Sequence, residues 1–210
     1  RNSMLWMGWG ILTTFITLMA TIINDDWLEL AESSYNILLL LELGVVFLFS
    51  ARQLRASLSA LKGMFFIYSI LNGLTLAALS MVYGTTAFFY AFLGTLAFFG
   101  TFAVLGGVVK RDLTSWTTYL LGAVIALIIV SLLNIFLFDS EFVDLALGAF
   151  GVIIFTIFTA VDVNRIKGIL TAVALEDDDI LERVELIGAL MLYLDFINIF
   201  LSFLRFFRRD

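Results

Sequence analysis

Long apolar stretches separated by short polar breaks dominate the chain. Seven of them reach or approach the roughly 20 residues that a membrane-spanning helix needs: 4–23, 35–51, 63–83, 85–109, 116–138, 143–164 and 186–207. The second is the most interrupted, because it holds Glu42 and ends at Arg52. The breaks are short except for 165–185, which carries the acidic run Glu176, Asp177, Asp178 and Asp179. That run lacks the spaced oxygen ligands and central glycine of an EF-hand loop, and it reads as a solvated connection. The first stretch, Met4 to Ile23, is as long as the others and reads as a span rather than a signal. With no linker or obvious internal repeat, residues 1–210 are expected to form a single, all-α integral membrane domain.

Composition supports this pattern. Of the 210 residues 62% are hydrophobic and 14% charged, against about half and a quarter in a soluble domain. Mean hydropathy is +1.06. No soluble core could absorb that much apolar surface, so lipid must cover much of it. There is no Cys, His or Pro. Disulfide and thiol chemistry are thereby excluded, and the commonest general base and transition-metal ligand are missing. No Gly-rich phosphate loop, metal motif or nucleophile–base set is visible, so neither an enzyme nor a nucleic-acid partner is expected. Gly94, Gly100, Gly106 and Gly107 in the fourth span read as close helix packing. Lys110-Arg111-Asp112 reads as a short inside loop that signals topology.

Loop charge gives an orientation. With the N-terminus in the cytoplasm, that side receives Arg1, Arg52, Arg55, Lys62, Lys110, Arg111, Arg165, Lys167 and Arg183. The outer connections receive Asp25, Asp26, Glu29, Glu32, Asp139, Glu141 and Asp144, with no Lys or Arg. This is a strong positive-inside bias. The last span conflicts with it, because a full crossing puts Arg205, Arg208 and Arg209 outside. Its apolar length favours crossing, and crossing is the expectation.

An ionisable group inside a span costs roughly 2.5–3.5 kcal/mol on insertion scales and usually faces the protein interior with a partner. Glu42, Asp162 and Asp195 qualify. At about 100° per residue, Asp195, Asn198, Ser202 and Arg205 share one side of the last helix. For Asn198 and Ser202, interhelical hydrogen bonding alone explains the pattern equally well. For Asp195 a neutral amide would hold helices together at lower cost. Asp162 ends the sixth span near the depth at which Asp195 enters the seventh. Two close buried carboxylates cannot both ionise easily and share a proton. The competing reading puts Asp162 at the water boundary, caught by Arg165. Arg52 lies at the same level, and an Arg–Asp pair there would pin the second helix to the sixth. Glu42 lies about 15 Å deeper along its helix. It either lines a path inward or is a neutral carboxyl hydrogen-bonded to a group such as Asn72 or Asn134.

At these residues the chain resembles the transmembrane Bax inhibitor motif family, in its bacterial branch. The similarity covers about residues 4 to 207. Its most specific part is LYLDFINIFLSFLRFF (192–207). LNGLTLAALSMVYG (71–84), GTFAVLGGVVKRDLTSW (100–116) and AVDVNRIK (160–167) support it. The resemblance implies a seven-transmembrane-helix bundle with the C-terminal helix central and the other six wrapped around it. It also implies a pH-sensitive calcium leak. Asp162 and Asp195 then match the pH sensor, and Arg52 matches the latch, with Arg55 as the alternative. Glu42 matches an acidic residue of the second helix, on an ion path with Asn198. Glu42, Asp162 and Asp195 are the candidate calcium ligands, with calcium as the transported or bound ion and no other cofactor. The implied surroundings are the lipid bilayer, calcium and protons, in a bacterial cytoplasmic membrane. The departures are the longer acidic connection at 165–185 and the absence of Pro and His. The alternative function is a regulatory membrane protein that binds a membrane protease or other helical partner without intrinsic transport. A proton-coupled transporter for a small solute is a third.

Overall fold

The computed structural model describes residues 2–173 and 178–207, and their regular structure is entirely helical. The elements are α1 (Asn2–Ile23), α2 (Asp25–Ser33), α3 (Tyr35–Arg52), α4 (Leu58–Val108), α5 (Trp116–Leu133), α6 (Glu141–Ala172) and α7 (Asp178–Leu204). A π-helical turn, Asn134–Phe138, extends α5, and a 3₁₀ turn, Arg205–Phe207, extends α7. Six of these helical segments are long and apolar enough to cross a membrane. Their outward faces carry exposed Leu, Ile, Phe and Val side chains along their length. Such surface is stable only against lipid, so the chain is an integral membrane protein.

The 51 residues of α4 would run about 77 Å at 1.5 Å per residue, against a hydrocarbon core of about 30 Å. The helix is interrupted at Gly84, where φ is 77° and ψ is 158°. This is a backbone region that essentially only glycine enters. The interruption falls between the predicted spans 63–83 and 85–109.

Two sequence expectations need correction. The connection after α1 contains a helix of its own, α2. Asn24 caps it by accepting a hydrogen bond from the Trp27 amide at 3.0 Å, and Asp25 and Asp26 occupy its first turn, where acids suit the helix dipole. The long connection at 165–185 is largely helical as well. The sixth helix continues to Ala172, and the last begins at Asp178 with Asp178 and Asp179 in its first turn. Span length by hydropathy measures the lipid-facing part of a helix and misses polar turns that emerge from it. Glu176 and Asp177 of the acidic run, like Arg1, Arg208 and Arg209, lie outside the described residues.

The chain divides into two compact units, Arg1–Gly84 with Val173–Tyr193 and Thr85–Ala172 with Leu194–Asp210. In the first, α1 packs on residues 58–83. A Cβ added at Gly73 would lie 2.7 Å from the Thr14 carbonyl oxygen, so glycine permits direct backbone approach. Tyr193 is fully buried against Phe65 and Tyr68, with ring centroids at 6.0 and 5.4 Å. The start of α7 is tied down by polar groups. Arg183 donates to the carbonyls of Gln53 and Ala56, each at 2.8 Å, and Lys62 pairs with Glu182 at 2.6 Å.

In the second unit, residues 85–108 meet α6 at Gly106, where an added Cβ would be 2.3 Å from the Ala160 carbonyl oxygen. Asn164 closes this contact. Its side-chain amide donates to the carbonyls of Gly106 and Val109, and its oxygen accepts from the Leu113 amide at 3.0 Å. These bonds satisfy carbonyls orphaned at the helix end. Of the four glycines read as packing positions, Gly94 sits under Phe203 and Gly106 against Ala160, whereas Gly100 faces open space.

Candidate functional site

The second unit brings Asp162 and Asp195 together. Both carboxylates are buried, each residue 6% exposed, and they lie close enough for their charges to act on one another. Asp195 Oδ2 is buried and has no hydrogen-bond partner. A buried carboxylate oxygen left without a donor is costly, and a second carboxylate nearby adds to that cost. A proton on either acid relieves both. Arg165 is close enough for its charge to reach Asp162, but its side chain is exposed while Asp162 is buried.

The rest of the α7 polar stripe is accounted for residue by residue. Asn198 donates to the Leu194 carbonyl at 2.8 Å, and Ser202 donates to the Asn198 carbonyl at 2.6 Å. Both thus bond their own helix. Arg205 pairs with Asp144 of α6 at 2.7 Å, and its guanidinium also donates to Ser131 at 3.4 Å. Asn198, Ser202, Arg205 and Ser131 line a cavity of about 260 Å³ whose remaining walls are apolar. The Asp144–Arg205 pair has a topological consequence. It sets the end of α7 beside the beginning of α6, and with Asp162 near Asp195 it makes the two segments antiparallel between these contacts. The charge of Arg205 is thereby paired within the protein.

Glu42 lies in the first unit, in a different environment. It is buried, and its two oxygens accept from Thr75 Oγ1 at 2.5 Å and Asn72 Nδ2 at 3.4 Å. Asn72 also reaches the Tyr68 hydroxyl at 3.5 Å. Of the two partners expected for Glu42, Asn72 is the one present. Asn134 instead holds the turn before α6, bonding both the amide and the carbonyl of Ser140. Among the described residues no three acidic side chains gather as a metal-binding group. Arg52, the last residue of α3, and Arg55, just beyond it, are exposed, and the Arg52 carbonyl accepts from the amides of Arg55 and Ala56.

Sequence reasoning missed Tyr193, whose hydroxyl bonds Thr14 Oγ1 at 2.5 Å, and Thr75, the nearer partner of Glu42. A tyrosine or threonine inside an apolar helix is too common to stand out. It also missed the Asp144–Arg205 pair, although Arg205 lies on the stripe and Asp144 in the facing acidic connection.

Buried carboxylates on lipid-embedded helices define a helical membrane protein with ionisable groups in its interior. The particular family follows from sequence comparison. The pattern described as "Inhibitor of apoptosis-promoting Bax1" matches residues 1–210, and the chain belongs to this Bax inhibitor-like family. Similar proteins include the inner membrane protein YbhL of Escherichia coli K12, 33% identical over 205 residues, which are 96% of this chain and 87% of the relative. An uncharacterized protein of Deinococcus radiodurans is 34% identical over 200 residues, 95% of this chain and 85% of the relative. One from Borreliella burgdorferi is 32% identical over 203 residues, 95% and 87%.

Proposed function

We propose that this chain is a pH-sensitive calcium leak channel in which the Asp162–Asp195 pair is the proton sensor. The observation that carries this reading is the partnerless Oδ2 of buried Asp195 beside the second carboxylate. Glu42 differs in that both its oxygens receive donors. Sharing a proton lets the pair exist, and losing it creates a second negative charge that must be compensated. The compensating cation is Arg52, or Arg55, acting as a latch on Asp162. Protonating Asp162 weakens that latch. Hard cations such as calcium are bound by carboxylate and carbonyl oxygens, which the interior acids, Glu42 among them, supply along an ion path that includes Asn198.

The arrangement around this sensor is a seven-span bundle, with α4 counted as two spans divided at Gly84 and α7 at the centre. Burial supports the central place of α7: 67% of its apolar window is buried, against 11–39% in the other five segments. Loop charges support a cytoplasmic N-terminus, and the inner membrane relative YbhL supports a bacterial cytoplasmic membrane. The test is calcium flux from liposomes holding the purified chain across the neutral pH range. Flux that changes with pH is expected. Liposomes as tight as protein-free ones at every pH would overturn the channel reading and favour the partner-binding alternative.

A further inference from the structure

At the end of the second unit where α4 and α6 finish and α5 begins, a cavity of about 570 Å³ is lined by Lys110, Arg111, Asp112, Asn164, Arg165 and Lys167, among others. That volume is in the range of about 300–1,000 Å³ typical of ligand sites. We propose that it binds the phosphate headgroup of an anionic phospholipid.

Charge is the first argument. Four cations face one acid, and among the described residues none of the four makes an ion pair. Lys167 donates one hydrogen bond, to the Gly107 carbonyl at 2.7 Å, and its ammonium has further donors to offer. Asp112 does not cancel this field by folding onto a cation. It accepts from the Thr114 amide at 2.8 Å, and its hydrogen bonds with Thr114 hold its carboxyl below the ordinary value of 3.8. It is therefore charged at neutral pH, leaving a net charge of +3 from four cations and one anion.

Shape and depth are the second argument. The backbone that carries Lys110 and Arg111 is held by Asn164 on both sides, so only side chains need ordering on binding. Trp116 and Tyr119, 53% and 76% exposed, follow directly in α5, and such rings sit at headgroup depth. Exposed Ile169 forms an apolar part of the wall. Basic pockets between spanning helices suit a lipid phosphate with its glycerol and first acyl carbons on the adjoining apolar surface. A free phosphate would use the cations alone.

This inference does not rest on the leak reading, and its test reads binding rather than flux. The full chain is purified in detergent and retention of phosphatidylglycerol is compared with that of phosphatidylcholine by native mass spectrometry, with millimolar inorganic phosphate as competitor. Lys110→Gln/Arg111→Gln is the variant, since Arg165 also acts on Asp162. Each basic residue near an anionic headgroup contributes about a fivefold factor, so the pair should lower retention about 25-fold. Lys110→Arg/Arg111→Lys should keep it. Preferential phosphatidylglycerol retention, lost in the first variant and kept in the second, is the expected result. Equal retention of the two lipids, or unchanged retention in the neutralised variant, overturns the site. Displacement by millimolar phosphate overturns the lipid assignment in favour of a free anion.

Discussion

Two buried acids in this protein live under opposite conditions. Glu42 in the first unit receives donors from Thr75 and Asn72. Asp195 in the second faces another carboxylate and has an oxygen with no donor at all. The difference teaches how a membrane protein can use one chemistry in two ways. A carboxyl supplied with donors is part of the frame. A carboxyl denied them is relieved by a proton, and the proposed sensor rests on that relief.

Substitutions can break this comparison, and the largest effect belongs to the satisfied acid. Glu42→Leu removes one hydrogen bond each from Thr75 and Asn72, which keep only Leu71 and Tyr68 as partners, at about 0.5–1.5 kcal/mol each, and opens a polar pocket to an apolar side chain, so the melting temperature in detergent should fall. Glu42→Gln should restore most of the loss. In the second unit, Gly106→Ala drives a methyl into the Ala160 carbonyl and should cost about 1–3 kcal/mol. Gly100→Ala, with open space around it, should stay within about 0.5 kcal/mol of wild type, as parallel melts would show. On the proposed latch, Arg52→Ala should raise the basal calcium leak about fivefold, the factor that corresponds to about 1 kcal/mol for one ion pair. If neither it nor Arg55→Ala leaks more than wild type, the latch has no place in the account.

The smallest effect concerns Asp112. Its carboxyl is held below 3.8, so its folded-state proton affinity is depressed. The stabilisation of its turn is present above the unfolded value and lost only as pH falls through the lower, folded one. Phosphatidylglycerol retention should accordingly be flat through neutral pH. Asp112→Asn should raise it by no more than about fivefold at low salt. A step in wild-type retention between pH 6 and 8 would point to another titrating group.

Much of this was legible in the sequence. Apolar length marked the long apolar helices, the break at Gly84 fell between two of the expected spans, and the period of α7 put Asp195, Asn198, Ser202 and Arg205 on one stripe. Asn72 was foreseen as a partner of Glu42. The rest depends on long-range pairing, which hydropathy does not carry. Nothing local links Arg205 to Asp144, 61 residues away, or Arg183 to the carbonyls of Gln53 and Ala56. Helices α2 and the start of α7 were read as connections because polar turns outside lipid lack the apolar signal. The Lys110–Arg111 loop on its own marks topology, and α6 places Arg165 and Lys167 beside it.

The central claim is that Asp195 is left unsatisfied so that it can share a proton with Asp162. Calcium flux of Asp195→Asn in proteoliposomes, measured against wild type across pH 6 to 8, tests it most directly. The account predicts a variant of near wild-type melting temperature whose flux no longer follows the wild-type pH profile. A pH profile identical to wild type would contradict it.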